Sequence, residues 1–321
     1  MNIFSAAKAA ILLISVIYAS QVNAYTQIYF FGDSLSDTGN AKVFSGNQNN
    51  PYFPERFSNG KVAVDFLAEH YGLYATPSLH LLGNEFGNNY SVGGARAVDG
   101  DGDESTPDTH LPTQINSFLA LHGGAASPEN LYVVIIGGND LFHARDLYSK
   151  YVTEPSAHDR RMYQLQAKNY VDLAVQSTLA QISKLVSAGA KNLLVANAPN
   201  IAYVPATYSL IDTLVSEAES KIEERRAERI HLAAQKLSNQ FNRKLAKGLK
   251  RMGFGGELNL IQWDLSGFLE NKIEEGSSSG YTNVDQPCQQ LQSCDGFVFY
   301  DSVHPTSQVH KEAVQAILSV L

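Results

Sequence analysis

Two short segments at opposite ends of the 321-residue chain could together carry nucleophilic chemistry. Near the start, the apolar run Tyr29-Phe30-Phe31 leads directly into Gly32-Asp33-Ser34, and near the end another apolar run leads into Asp301-Ser302-Val303-His304. A serine hydroxyl attacks an acyl carbon only when a base takes its proton, and the base works best when a carboxylate fixes its tautomer. A fold that joins the two ends would therefore create the site of a serine hydrolase.

Each of these residues also has a purely structural interpretation. A serine after a strand often caps a helix, Asp301 could lie in a surface turn, and His304 is one of nine histidines. Ser34, however, lies between a predicted strand and a predicted helix, whose first amides would stabilise negative charge beside the hydroxyl. This placement favours the catalytic interpretation.

Strands that alternate with helices would position these groups. Apolar runs predict strands at 27–31, 88–92, 131–136, 192–196 and 258–262. Helices are predicted from residue 34 and at 62–70, 164–187, 211–252 with one break allowed, and 309–321, with a surface loop over 40–60. The alternation indicates a three-layer α/β/α sandwich with a mainly parallel, flavodoxin-like central sheet, whose ligands bind at the carboxyl ends of the strands. Every candidate site residue follows a predicted strand.

The first 24 residues have the features of a secretory signal peptide. Lys8 lies in the basic region, residues 9–19 are apolar but too few to span a bilayer, and Val22-Asn23-Ala24 fits a cleavage site. We therefore expect export to the periplasm or the extracellular space, with residues 25–321 forming a single domain.

Charge and composition exclude several classes of partner. A net charge of −8 gives no reason to bind nucleic acid. We predict no metal and no cofactor, since Gly137-Gly138 lacks the rest of a phosphate-binding fingerprint. Cys288 and Cys294, the only two cysteines, fall short of the four ligands of a zinc site and lack C-x-x-C spacing. In an exported protein such a close pair predicts a disulfide.

Four sequence blocks resemble those of the GDSL lipase/esterase family, the SGNH hydrolases. They occur here in the family's order at 31–35, 89–95, 137–140 and 301–304. The resemblance implies that Ser34 is the nucleophile, His304 the base and Asp301 the acid that orients it.

The same resemblance implies an oxyanion hole. Its donors would be the backbone N–H of Ser34, the N–H of Gly94, with Gly93 as the alternative, and the side-chain amide of Asn139. Acyl transfer passes through a tetrahedral oxyanion, which donors fixed in place before the reaction stabilise.

Two further strings, at 34–40 and 56–60, resemble a secreted bacterial branch of this family. That branch includes glycerophospholipid:cholesterol acyltransferases, thermolabile haemolysins and, as the nearest resemblance, secreted lysophospholipases A. It implies hydrolysis of lysophospholipids or phospholipids at a membrane surface or micelle, with acyl transfer to cholesterol as a variant. The alternatives are a carbohydrate, aryl or short-chain esterase on the same scaffold, and a secreted binding protein, which the complete set of site residues opposes.

Two polar segments leave alternatives open. Residues 273–296 include a Gly/Ser tract that predicts flexibility, and they directly precede the Asp301 block. They either form an inert surface loop or cover the site until an activating protease or reduction opens it. The charge-rich residues 221–229 are either a solvated helix face, which is the usual case, or a surface for lipid or a partner.

Overall fold

The computed structural model describes residues 25–45, 54–83, 87–98, 108–253 and 257–321, so the predicted signal peptide lies outside the described residues. The central sheet contains parallel strands in the order β1-β2-β3-β4. They are β1 (Ile28–Gly32), β2 (Leu131–Ile135), β3 (Asn192–Ala196) and β4 (Asn259–Trp263). All residues of β2 are buried, because helices cover both faces of the sheet.

The segment predicted as a strand at 88–92 runs beside β1 without forming a regular strand. Phe30 N–H donates to the Asn88 carbonyl at 3.0 Å, and Tyr90 N–H donates to the Phe30 carbonyl at 2.8 Å. Val92 N–H also donates to the Gly32 carbonyl at 3.1 Å, but Gly32 N–H donates to the Gln114 side chain at 2.8 Å, so the ladder is incomplete. The prediction of a regular strand is wrong here, while the extended pairing with β1 is present.

Helices form the two outer layers. They are α1 (Asn40–Ser45), α2 (Ala63–His70), α3 (Leu111–Leu121), α4 (Gly138–Ser149), α5 (Ala157–Ser187), α6 (Pro205–Ser216), α7 (Lys221–Glu228), α8 (Ile230–Met252), α9 (Leu265–Glu275) and α10 (Ser307–Leu318). On one face α5 packs against α3, α4 and α8, and on the other α2 packs against α10. The predicted three-layer sandwich is confirmed. No helix in the described parts of the chain is long and apolar enough to cross a bilayer.

The segment predicted as a helix over 211–252 with one break allowed is interrupted twice, at 217–220 and at Arg229. Pro205 in the first turn of α6 begins this region earlier than predicted. Ser220 Oγ accepts the Glu223 N–H at 3.3 Å and so caps α7 as a separate helix.

Residues 273–296, predicted to be a flexible loop, contain regular structure. After α9 comes a 3₁₀ turn, and β5 (Asn283–Pro287) pairs with β6 (Phe297–Phe299). The predicted disulfide between Cys288 and Cys294 is present. The flexibility of this segment stays a prediction.

Candidate active site

The three residues predicted to form a triad lie in one hydrogen-bonded chain. Ser34 Oγ and His304 Nε2 are 2.7 Å apart, and His304 Nδ1 lies 2.7 Å from Asp301 Oδ2. All three residues are buried. β1 delivers Ser34 to the carboxyl edge of the parallel sheet, and β6, which belongs to the separate β5–β6 pair, leads into the Asp301 loop.

Asp301 is fixed by its own loop. Its Oδ1 accepts the backbone N–H groups of Val303 and His304 at 2.7 and 2.6 Å, which leaves Oδ2 for the imidazole. Burial alone would raise the pKa of this carboxyl, but the hydrogen bonds from His304 and Val303 and the nearby imidazole lower the pKa to about 2. The group is therefore ionised at neutral pH and holds the histidine with Nδ1 protonated and Nε2 facing the serine.

Ser34 lies on a single tight turn and not, as predicted, at the start of a helix. Ser36 N–H and Asp37 N–H both donate to the Asp33 carbonyl, at 3.1 and 3.0 Å, and α1 begins only at Asn40. The delay has a local cause: the buried Asp37 carboxylate accepts the N–H groups of Gly39 and Asn40, at 2.7 and 2.8 Å, and so starts the helix later.

Asp37 also distinguishes the two candidate glycines. Its Oδ2 accepts the Gly93 N–H at 2.7 Å, so that donor is already used. Gly94 follows in an exposed turn with φ of 81°, a left-handed backbone conformation that residues other than glycine rarely adopt. This geometry favours Gly94 as the oxyanion donor.

Asn139 lies at the start of α4, directly after the turn that ends β2. Its Nδ2 donates to the Ala95 carbonyl at 2.9 Å, one residue beyond Gly94. An amide nitrogen carries two hydrogens, so the second remains for a substrate oxygen. The Ala95 contact thus couples the position of the Asn139 amide to the Gly94 turn.

A pocket with mostly apolar walls adjoins the serine. Ser34 and Asn139 line it together with the apolar side chains of Phe142, Val204 and Leu269. Its apolar walls suit a hydrocarbon group better than a sugar ring, and its volume of about 30 Å³ leaves room for only a small apolar group. No described residue of 273–296 lines it.

The sequence interpretation missed the structural role of residues 56–60, here called the 56–60 strap. The ring of Phe57 lies 5.3 Å from the His304 ring, and Ser58 Oγ donates to the Pro305 carbonyl at 2.9 Å. Asn59 Oδ1 accepts the Ser307 N–H at 2.8 Å. The signal for it in the sequence is the Arg-Phe-Ser-Asn-Gly string at 56–60.

Two further buried carboxyl groups, Asp33 and Asp140, lie next to Ser34 and Asn139 in the sequence. Burial raises the pKa of Asp33 to about 7 and that of Asp140 to about 6. Asp140 accepts the Ala97 N–H at 2.8 Å and so holds the chain that follows the Gly94 turn. Within the described residues, no group of three potential ligands could hold a metal ion.

The sequence model of the GDSL-like lipase/acylhydrolase family matches residues 28–317. The chain belongs to this family. The GDSL lipase/esterase family assignment is thereby confirmed.

Several known proteins are similar in sequence to this GDSL family member. Lipase 1 of Photorhabdus luminescens is 29% identical over 60% of this chain, and the match covers only 25% of the length of that protein. A GDSL esterase/lipase of Arabidopsis thaliana is 26% identical over 88% of this chain and 86% of its own length. The thermolabile hemolysin of Vibrio parahaemolyticus is 24% identical over 94% of this chain and 65% of its own. An extracellular lipase from Streptomyces rimosus matches with a TM-score of 0.43 and 18% identity, over 92% of this chain and 100% of that one.

Proposed function

We propose that this GDSL hydrolase cleaves acyl esters of lipids, with lysophospholipids and phospholipids preferred, through an acyl-enzyme on Ser34. The observation that carries the proposal is the hydrogen-bonded chain from Asp301 through His304 to Ser34, which ends at a pocket with apolar walls. Serine, base and acid supply the chemistry, and the pocket supplies the preference for a hydrocarbon group.

The reaction proceeds in two halves. His304 Nε2 takes the Ser34 proton as Oγ attacks the ester carbon, and the protonated imidazole then gives that proton to the leaving alcohol. A water molecule, deprotonated by the same nitrogen, attacks the acyl-enzyme and releases the fatty acid. Asp301 remains ionised throughout and stabilises the imidazolium that forms in each half.

The oxyanion of both tetrahedral intermediates binds the N–H groups of Ser34 and Gly94 and the side-chain amide of Asn139. Two contacts support this set, since Gly93 N–H is used by Asp37 and the Asn139 amide is anchored by Ala95. These donors are in place before substrate arrives, so little reorganisation accompanies the build-up of charge.

Membership of the bacterial acyltransferase and lysophospholipase branch is a further part of the proposal. The similarity to a thermolabile hemolysin along 94% of the chain supports it. If cholesterol or another alcohol reaches the acyl-enzyme in place of water, the product is an ester, and the same residues then carry acyl transfer.

Export and activation complete the proposal. The disulfide between Cys288 and Cys294 suits an oxidising compartment, which fits a signal peptide at 1–24 and a secreted enzyme. Cleavage of the 273–296 segment by an activating protease stays a prediction. Fatty-acid release after limited proteolysis of that segment tests it, and activity that does not rise removes it.

The deciding experiment measures fatty-acid release from lysophosphatidylcholine and from diacyl phosphatidylcholine, with and without cholesterol. Ser34→Ala should abolish release, while Ser302→Ala, an exposed serine in the fourth block, serves as the matched control and should retain it. Cholesteryl ester among the products would establish acyl transfer. Cleavage of short soluble esters alone would reject the lipid assignment in favour of a short-chain or carbohydrate esterase, and no cleavage of any ester would favour a binding protein.

A further inference from the structure

A second cavity lies between α5 and α8, away from the triad. It measures about 340 Å³. Ala233 and Leu237 are its buried apolar residues, and Tyr148 at the end of α4 also lines it. Lys168 and Lys236 line the same cavity.

Arg229 is the third cation of this cavity, which we call the α5–α8 pocket. The three cations are exposed, and among the ion pairs of the described residues none includes them. Asp172, four residues after Lys168 on α5, is paired with Lys244. Three unpaired cations around one cavity stand out in a chain whose net charge is −8.

Apolar side chains lie next to these cations. Leu232, which lines the α5–α8 pocket, is 51% exposed. Leu165 and Met162, one and two turns before Lys168 on α5, are 47% and 38% exposed. A surface that combines free cations with exposed aliphatic side chains is complementary to an anionic lipid surface, where phosphates lie above hydrocarbon.

The α5–α8 pocket lies on the same side of the sheet as Ser34. The carboxyl end of α5 is near the amino ends of the strands, because the Ala188 carbonyl accepts the N–H of Ala126, which precedes β2. Nineteen residues separate Lys168 from Ser187, which is about 28 Å of helix, whereas a five-residue strand spans about 17 Å. Lys168 therefore lies beyond the carboxyl ends of the strands, the level at which the triad is built.

We propose that the α5–α8 pocket docks the protein on anionic phospholipid surfaces by binding a lipid phosphate among Lys168, Arg229 and Lys236. Leu165 and Leu232 enter the interfacial region beside it. The inference deepens the proposed lipid hydrolysis, on which it rests, because docking would hold the triad side of the molecule near its substrate.

The test compares two triple variants that each remove three positive charges from different places on the surface. Lys168→Gln/Arg229→Gln/Lys236→Gln changes the α5–α8 pocket, and Lys247→Gln/Lys250→Gln/Arg251→Gln changes exposed cations at the other end of α8. Both are made in the Ser34→Ala background so that the vesicles stay intact. Binding is measured by co-sedimentation with phosphatidylcholine vesicles that contain phosphatidylglycerol, and with pure phosphatidylcholine vesicles.

Each cation near an anionic surface contributes about fivefold to binding, so we expect the pocket variant to bind phosphatidylglycerol vesicles roughly 100-fold more weakly. The control variant should bind within a few-fold of the parent, and added salt should reduce the difference. Equal weakening in both variants, or no binding of the parent to anionic vesicles, would overturn the proposal. So would protection of the parent against thermal unfolding by inorganic phosphate alone, which would identify a site for the free ion.

The same three proteins with Ser34 restored separate this inference from the proposed function. Hydrolysis of a short soluble ester should be unchanged in both triple variants, while hydrolysis of lipid in anionic vesicles should fall only in the pocket variant. If the parent cleaves no ester at all, the proposed function fails, although vesicle binding still tests the docking surface by itself.

Discussion

Asn139 illustrates how a single side chain is held ready for chemistry. Its amide nitrogen donates one hydrogen to the Ala95 carbonyl. This hydrogen bond also fixes the direction of the second amide hydrogen. We expect Asn139→Ala to lower kcat by about 100- to 1000-fold with a small change in KM, since an oxyanion donor acts in the transition state. Steady-state kinetics on a soluble ester measure this. Asn169→Ala, on the exposed face of α5, is the control, and a loss confined to KM would contradict the assigned role.

Asp33, beside the nucleophile, makes stability depend on pH. Burial raises its pKa from 3.8 to about 7, so between these values the folded state holds a proton that the unfolded state has lost. The contribution of this group to stability is therefore present at pH 4 and is lost as the pH rises through 7.

Asp33→Asn should remove this dependence, because asparagine does not ionise and can still accept the Leu35 N–H that Oδ1 accepts at 3.0 Å. At pH 8 we expect the variant to be more stable than the parent by about 2–4 kcal/mol, with little difference at pH 4. Denaturant unfolding at both values measures it, with the exposed Asp212→Asn as control. A gain that is the same at pH 4 and pH 8 would show that ionisation is not the cause.

The 56–60 strap operates at the scale of elements, because it joins the loop before α2 to the loop before α10. The Phe57 ring lies between the His304 ring and the Gly93 turn, where a side chain on Gly93 would come within 2.4 Å of it. The Phe57 ring therefore packs between the His304 ring and the Gly93 turn.

We expect Phe57→Ala to lower kcat/KM by about 10- to 100-fold, the range associated with small misplacements of catalytic groups. Phe57→Leu should restore part of the activity, and Phe44→Ala, a half-buried phenylalanine beside His80, is the matched control. The pH profile of kcat/KM is the decisive measurement, because loss of ring contact should move the histidine limb. A lower melting temperature with an unchanged pH profile of kcat/KM would show that the 56–60 strap only stabilises the fold.

Local signals made the catalytic elements predictable from the sequence. The strands β1 and β2 follow from apolar runs that end in glycine, and each block carries its own chemistry, whereas the tight turn at Ser34 was predicted as the start of a helix. The ring packing of Phe57 and the Asp37 contact with Gly93 were not predictable, because they join segments that are distant in sequence. Only one break was allowed in 211–252, and its place was not predicted, because Ser220 as a cap competes with the helix-forming residues on either side.

At the scale of the whole molecule, the site depends on holding the two ends of the chain together. β6 carries Asp301 into place, and the residues around the disulfide are hydrogen-bonded to it: Cys288 N–H donates to Phe299 and Gln289 N–H to Tyr300, at 3.2 and 2.8 Å. Cys288 is fully buried. These contacts indicate that the 273–296 segment braces the acid of the triad.

Cys288→Ser/Cys294→Ser should therefore lower both stability and activity. Closure of a loop with a sequence separation of 6 stabilises the fold by about 2 kcal/mol in the chain-entropy account, and loosened support for Asp301 should reduce kcat. Because the chain has no other cysteines, a reductant should reproduce both effects in the parent and leave the double variant unchanged, which is the internal control. A rise in ester hydrolysis on reduction, or after cleavage within 276–294, would contradict the brace and support a segment that covers the site.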